Sequence, residues 1–562
     1  MRKKRLPIGI SDFKEIVQQN YAYVDKTLLI QELLDLGSKA FLLPRPRRFG
    51  KTLNLSMLRY FFEKSKEDHA TLFHRYKIWQ TDYRELQGKY PVVFLSFKDI
   101  KCTTWKESLE VFSLLIAREF RRHEELLDNM QLSDIEKEEY RSVMQKKSSL
   151  ATLRSSLYML IDILARYHKQ NVYVLIDEYD TPVHAAYLHN YYDDMMEFMR
   201  GFLGDGLKDN SCLERAVLTG VFRVAKESIF SGLNHFACHT LLGKRFCDKF
   251  GLIEEEVFAL LQEQGLSCAM EEMSVWYNGY QIGEYAIYNP WSILQCIEHH
   301  GTLQPYWINT SDNALIRKML LCGSAMLKKD LEEVLQGKAI IKPLKEEMIF
   351  GSLSREESAV WSLLLFSGYL TLKEHIYCEN HVLLYSLQVP NQEILSFYRT
   401  IITDWFCDVL SSAECSQLLF NSLVQGDVDT FVSLFQEFIM MSMSYYDISG
   451  QEPERVYHAF ILGFFVFLKN THYVQSNRES GFGRYDVCVI PKDQTKLGIV
   501  MEFKKAAKKE SLETAAKKAL LQIKERNYVQ ELYSRGIRNV LYLGLAFRGK
   551  QISMCQEKLH IP

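Results

Sequence analysis

The chain has almost no net charge: 68 Lys and Arg against 70 Asp and Glu leave −2 over 562 residues. No whole-chain basic field advertises a polyanionic partner, so any nucleic-acid surface has to be local. Its twelve cysteines are scattered, with no C-x-x-C pair and no Cys/His cluster at zinc-ligand spacing. That argues against a zinc site or a disulfide framework and for reduced thiols in a cytoplasmic protein. The N-terminus MRKKRLP is basic, but the apolar core of a secretory signal does not follow it. Long hydrophobic runs are missing too. The longest, AFILGFFVFL at 459–468, is too short to cross a bilayer and predicts a buried helix. There is no internal repeat and no low-complexity tract. What is present, 47% hydrophobic and 25% charged residues, is the composition of a globular chain. Its length suggests about three or four domains.

The stretch that organises the chain is 40–62, AFLLPRPRRFGKTLNLSMLRYFF. An apolar run ends in a loop bounded by Pro44 and Gly50, and Leu53, Leu55, Leu58, Phe61 and Phe62 then repeat at helical spacing. Strand, loop, GKT and helix is the order of a phosphate-binding loop. Backbone N–H groups and the helix N-terminus cradle phosphate, Lys51 reaches the β- and γ-phosphates of ATP, and Thr52 ligates Mg²⁺. Arg45 stands where the full motif has its first glycine, removing a φ-permissive residue. Arg45, Arg47 and Arg48 partly offset the loss, since guanidinium groups suit phosphate. A basic loop leading into an ordinary helix is the plainer alternative.

Upstream of that loop, LLIQELLDL (28–36) reads as a helix closed by a Gly37 C-cap. Downstream, YPVVFLSF (90–97) reads as a strand and 104–168 as charge-rich helix, with a capped start at LSDIEKEEYRS. Then comes NVYVLIDEYDTP (171–182), in which Val172–Ile176 predicts a strand buried on both faces, as in a parallel sheet. It ends in Asp177, assigned to Mg²⁺, and Glu178, assigned to activation of the attacking water. An acidic pair closing a strand on a solvated loop is the competing account. RAVLTGVFR (215–223) predicts a third strand. Thr219 at its tip is placed to sense the γ-phosphate. Arg223 is placed to supply transition-state charge, in cis or to a neighbouring subunit of a homo-oligomer, or to serve only as an ion-pair partner.

The motifs LPIGISDF, YVDKT, RPRRFGKTLNLSMLRYFF, VLIDEYDTP, LTGVFRVAKESIFSGLN, WYNGY and YNPWSIL together resemble the bacterial AAA-ATPase-like family of P-loop ATPases. The resemblance covers essentially the whole chain. It implies that RPRRFGKT, without the first glycine, is the family's usual form, and that a PD-(D/E)XK nuclease-like domain often follows.

Between these ends, WYNGYQIGEYAIYNPWSIL (276–294) reads as aromatic packing around turns. SREESAVWSLLLFSGYLTL and HVLLYSLQVPN read as a helix and two strands, compatible with a winged helix. The methionines of LFQEFIMMSMSYYD read as core. After 450, Asp486 falls on one alternating strand (GRYDVCVIP), and Glu502 and Lys504 fall on the next (KLGIVMEFKKA). Alternation puts Glu502 and Lys504 on one face, where Asp486 and Glu502 would share a divalent metal and Lys504 would position or help deprotonate water at a phosphodiester. That is the PD-(D/E)XK pattern, although an alternating charged strand yields E-x-K freely. His458, Glu479 and Gln522 are supporting residues. Lys504, Lys505, Lys508, Lys509, Lys517 and Lys518 would make a local phosphate-binding surface, or simply solvated faces.

The expected fold is α/β and multidomain. A P-loop ATPase with a parallel sheet occupies 1–240, a helical lid with a winged-helix-like region 241–450, and a PD-(D/E)XK-type domain 451–562. The expected activity is that of an ATPase using ATP and Mg²⁺, coupled to a metal-dependent nuclease-like domain acting on nucleic acid, with DNA favoured and no membrane partner. The alternative is a nucleotide-switch scaffold whose C-terminal domain binds DNA or protein without cutting.

Overall fold

A computed structural model describes residues 3–128, 132–224, 236–266, 270–307, 316–317, 319–320, 324–348, 350, 356–379, 382–445, 452–480, 483–507 and 509–560. The chain forms two compact units: Met1–Asp312 with Ile341–Ile394, and Asn313–Ile340 with Leu395–Pro562.

In the first unit the apolar runs become strands of one sheet. β1 is Ala40–Pro44, β2 Val92–Ser96, β3 Val172–Asp177 and β4 Leu213–Gly220; β5 is the two-residue Arg223–Val224 and β6 is Phe236–Cys238. The sheet order is β2-β3-β4-β1-β6, and every pairing in it is parallel. All residues of β1 and β3 are buried, as strands covered on both faces require. The helix Lys51–Phe62 leaves β1 through the loop and buries Leu55, Met57, Leu58, Phe61 and Phe62. Phe62 stacks on Tyr173 of β3 at 4.0 Å. Each such side chain contributes about 1.5–3 kcal/mol on burial, so the loop is anchored at its helical end. Two polar residues on the buried face find partners: Asn54 Nδ2 donates to the Lys249 carbonyl (2.8 Å), and Ser56 Oγ accepts from Phe13 N (2.9 Å).

Three helices, Trp105–Arg122, Asp134–Met144 and Leu150–His168, fill the charge-rich stretch before β3, and Ser133 with Glu136 closes a capping box on the second. The 276–294 aromatics are core: Tyr277, Tyr280 and Tyr288 are buried around the hairpin Tyr280–Ile282 and Tyr285–Ile287. Helix Glu357–Phe366 is followed by the antiparallel strands Thr371–Glu379 and Val382–Gln388.

In the second unit five strands pair in chain order: His472–Ser480, Gly483–Pro491, Gly498–Lys505, Asn539–Arg548 and Gln551–His560. Only the third and fourth are parallel, and the crossover between them carries helix Leu512–Glu525. Gly544 makes that packing possible, since a Cβ there would overlap the backbone of Ala516 and Leu520. The predicted buried helix around 459–468 appears as Glu452–Phe467, with Phe460, Ile461, Leu462 and Phe464 buried.

Two expectations are corrected. Helix Leu28–Leu34 stops at Asp35 in right-handed conformation, and Gly37 does not take the left-handed cap geometry. In helix Val428–Tyr445 the core is Phe431, Phe435, Phe438 and Ile439, while Met440 and Met441 are about half exposed (51% and 48%). The apolar face there is aromatic, and these methionines fall beyond its edge.

One buried carboxylate ties the first unit together. Glu393, fully buried, accepts hydrogen bonds from Tyr306 N and Trp307 N (2.7 Å each) and from Ser292 Oγ (2.8 Å). Burial pushes its carboxyl from 4.5 up to about 7 against the pull of those donors. A raised folded-state pKa means that stability is complete below about 4.5 and is lost as pH rises through about 7. Local stability at Tyr306 and Trp307, read by amide exchange corrected for intrinsic rates, should therefore fall by on the order of 1–3 kcal/mol between about pH 5 and pH 8. Glu393→Gln should flatten that profile.

Candidate functional site

The loop Pro44–Gly50 is shaped by two left-handed residues, Arg48 (φ +68°) and Gly50 (φ +81°), the latter capping the helix Lys51–Phe62. Arg45 is not left-handed, so the position of the missing first glycine makes no demand that only glycine meets. The Arg45 side chain departs from the expected phosphate-binding role. It is fully buried, donating to the carbonyls of Pro44 (2.8 Å), His239 (2.7 Å) and Phe246 (3.1 Å), and its guanidinium lies over the Phe250 ring. A guanidinium spent on buried carbonyls is structural, because exposing it would strand those acceptors. Arg48 lies over Trp291, with its guanidinium carbon 4.5 Å from the ring centroid. Arg47 is half-buried, and its charge acts on Glu178.

Lys51 Nζ spans the loop, donating to the carbonyls of Arg45 (3.2 Å) and Pro46 (3.1 Å) and pairing with Glu178 Oε1 at 3.3 Å. Behind it lies a fully buried carboxylate, Asp177, at the C-terminal end of β3. Thr52 Oγ1 donates to one of its oxygens and Thr219 Oγ1 to the other, both at 2.6 Å. Burial and the neighbouring Glu178 charge raise the Asp177 carboxyl; the two hydroxyls and Lys51 oppose them. For Glu178, burial is outweighed by Lys51 and Arg47, and its carboxyl lies below the ordinary range. The parallel register makes this constellation, since β3 and β1 both flank β4 and so bring Asp177, Thr219 and the loop to one edge. A deprotonated Asp177 beside the Thr52 hydroxyl and the Lys51 ammonium is a donor set that fits Mg²⁺ and a triphosphate.

Arg223 is placed differently. It pairs with Glu347 Oε1 at 2.7 Å, and β5 pairs in parallel with Glu347–Met348. Residues 225–235, which continue the LTGVFRVAKESIFSGLN motif, lie outside the described residues.

Sequence reasoning missed Asp180, although the third acid of DEYD was in plain view. It is nearly fully buried, and its Oδ2 accepts from Val221 N (2.9 Å) and Phe222 N (2.8 Å). Tyr179 hydroxyl completes the clamp by donating to Phe222 O (2.7 Å) and accepting from Val224 N (2.9 Å). Burial, then the Glu178 charge, pushes Asp180 up to about 6. The turn after β3, with Glu178 left-handed at φ +53°, thus grips the chain that leaves β4.

The second site lies in the C-terminal sheet. Antiparallel register sets Val487 opposite Met501, which brings Asp486 and Glu502 next to each other along the same pair of strands. Asp486 Oδ2 accepts from Phe503 N at 2.8 Å. Glu502 is 5% exposed; Gln522 Nε2 donates to its Oε1, while its Oε2 is buried without a hydrogen-bond partner. Burial and the Asp486 charge push Glu502 up to about 8, and burial raises Asp486 as well. Lys504 lowers both. Two neighbouring carboxylates, both raised by burial and one with an orphaned oxygen, fit a divalent cation, whose charge would favour their ionised forms.

The side chains of His458 and Glu479, and all of Lys508, lie outside the described residues. The expected basic surface is partly neutralised, because Lys517 pairs with Glu513 (2.8 Å) and Lys518 with Glu510 (2.7 Å).

Gly220→Ala tests the clamp, since a Cβ at Gly220 would overlap the Asp180 carboxylate and the Tyr179 ring. It should cost about 1–3 kcal/mol in denaturant unfolding and raise amide exchange at Val221 and Phe222.

Comparison with known proteins agrees with this geometry. Residues 7–230 match the family described as Predicted AAA-ATPase (AAA-ATPase-like), and residues 452–557 match the PD-(D/E)XK nuclease superfamily. An uncharacterized protein in the vnfD 5′ region of Azotobacter chroococcum mcd 1 is 26% identical over 573 residues, with 97% of each chain covered. The chain therefore joins an AAA-ATPase-like domain at 7–230 to a C-terminal domain of the PD-(D/E)XK nuclease superfamily at 452–557.

Proposed function

We propose that this protein is an ATP-hydrolysing P-loop ATPase that controls metal-dependent cleavage of nucleic acid, with DNA as the favoured substrate. The ATPase domain would extend over 1–240, a helical and winged-helix-like region over 241–450, and the nuclease domain over 451–562. The observation that carries the reading is the orphaned Glu502 Oε2 beside Asp486 and within the influence of Lys504.

At the ATPase site Lys51 would exchange its loop carbonyls for phosphate oxygens, and Thr52 and Asp177 would hold Mg²⁺, whose charge neutralises the phosphates. Glu178, held in its charged form by Lys51 and Arg47, orients and deprotonates water. Thr219, hydrogen-bonded to Asp177, reports changes there to β4, and Arg47 and Arg48 flank the loop's outer side. At the nuclease site Asp486 and Glu502 would hold Mg²⁺, which supplies Lewis acidity at the phosphodiester. Lys504 positions the attacking water, and Gln522 fixes the Glu502 carboxylate.

Lys504→Ala should reduce Mg²⁺- or Mn²⁺-dependent cleavage of single- and double-stranded DNA and RNA by about 100-fold or more, with ATP turnover unchanged. Cleavage absent from wild type on every substrate, with ATP turnover intact, would instead favour a nucleotide-switch scaffold. Lys51→Ala should lower ATP turnover by about 100-fold or more and remove any response of cleavage to ATP. Equal ATP turnover in wild type and Lys51→Ala would sink the ATPase assignment.

A further inference from the structure

A second charged feature of the C-terminal unit belongs to neither site. A cleft of about 470 Å³ opens beside the edge strand His472–Ser480, bounded by the end of helix Ala325–Leu335, helix Gln392–Val409 at Arg399, and the Lys492 and Arg535 loops. Its charged lining is of one sign: Lys338, Arg399, Lys469, Lys492 and Arg535, with His472 set into the wall. These residues come from segments far apart in sequence, so no basic run announces them.

The cations are short of counter-ions. Among the described residues the ion pair made by this set is Arg535 with Glu531, at 3.0 Å. Lys492 Nζ instead donates to the Lys469 carbonyl at 2.9 Å. Lys492 and Arg535 both lie over the ring of Tyr473, at 5.2 and 5.9 Å, which holds them at the mouth. His472 is 4% exposed; its Nδ1 shares a hydrogen bond with Thr471 Oγ1 (2.8 Å), and its Nε2 is buried with no hydrogen-bond partner. One acid stands behind the lining, the buried Glu332, whose Oε2 accepts from Ser476 Oγ at 3.4 Å. Burial lowers Lys469, and the charges of Arg399 and Lys492 lower it further; burial, then Lys496 and Lys492, lowers His472. Crowded cations are stabilised by an anion with several oxygens.

We propose that this cleft binds the phosphodiester backbone of a nucleic-acid strand, as an exosite separate from the Asp486–Glu502–Lys504 site. His472 pairs with Pro491, five residues along the strand from Asp486. At about 3.4 Å per residue the separation is roughly 17 Å, too far for one phosphate group to serve both. A strand of several nucleotides spans it. The choice of a nucleic-acid backbone over other phosphate-bearing ligands rests on the nuclease reading; the anion site itself does not.

The test is fluorescence anisotropy of a labelled single-stranded DNA oligonucleotide on the full chain in EDTA, where cleavage plays no part. Wild type should bind, with an affinity that falls as salt rises. Arg399→Ala/Lys469→Ala should weaken binding about 10-fold or more and reduce the log–log salt slope by about 1.4–2. Lys469→Glu, at an exposed position, should act in the same direction while leaving ATP turnover unchanged. Both variants binding as wild type does would overturn the exosite, even if cleavage needs Lys504. Binding of inorganic pyrophosphate, lost in the variants, without oligonucleotide binding would overturn the nucleic-acid assignment in favour of a small phosphate-bearing ligand. Oligonucleotide binding lost in the variants, in a protein that never cleaves, would uphold the exosite and defeat the nuclease reading.

Discussion

The AAA-ATPase-like domain depends on one buried anion. Asp177 lies out of water, and a lone carboxylate there would be costly or protonated. Two threonine hydroxyls and the Lys51 ammonium offset that cost. Because Thr52 lies in the first turn of the loop's helix and Thr219 near the end of β4, the same hydrogen bonds that satisfy the carboxylate fix the three segments against one another. A change at the phosphate loop must therefore be felt at β4. Asp180 and Tyr179 extend this constraint by holding the chain after β4 through four more hydrogen bonds. The path from the loop to the rest of the unit is a short run of buried polar contacts, each expensive to leave unmade.

The nuclease-like domain uses the opposite strategy. Where Asp177 is fully bonded, Glu502 keeps one buried oxygen without a partner and sits against another acid. Gln522 pins one oxygen and leaves the other without a hydrogen-bond partner. Such a site is poised for a ligand because it is unfavourable without one. The cleft beside His472 mirrors it with reversed sign, with several cations and little to neutralise them. Within one unit, an acidic pair and a basic cleft together are what a metal-dependent reaction on a polyanion asks for.

Much of the candidate site was legible because each part is local. GKT after an apolar run, an acid pair ending a buried run, and E-x-K on an alternating strand are all encoded within a few residues. Side-chain destinations were not. Arg45 looked like a phosphate ligand because charge and position suited phosphate, yet carbonyls from residues about 200 positions away claim its guanidinium. Arg223 pairs with Glu347 for a similar reason, as two distant strand ends meet. The lysines at 517 and 518 read as basic surface until helix geometry and the preceding turn supplied Glu513 and Glu510.

The sequence by itself determined the strands, the phosphate loop, the acid pairs and the order of the two enzyme-like domains, because periodicity and short motifs act over neighbouring residues. Tertiary structure alone decided which charges are spent and which are left over. Whether Arg45, Glu393, Glu502 or Arg399 is satisfied depends on partners brought near by folding, and burial multiplies the consequence of each pairing made or missed.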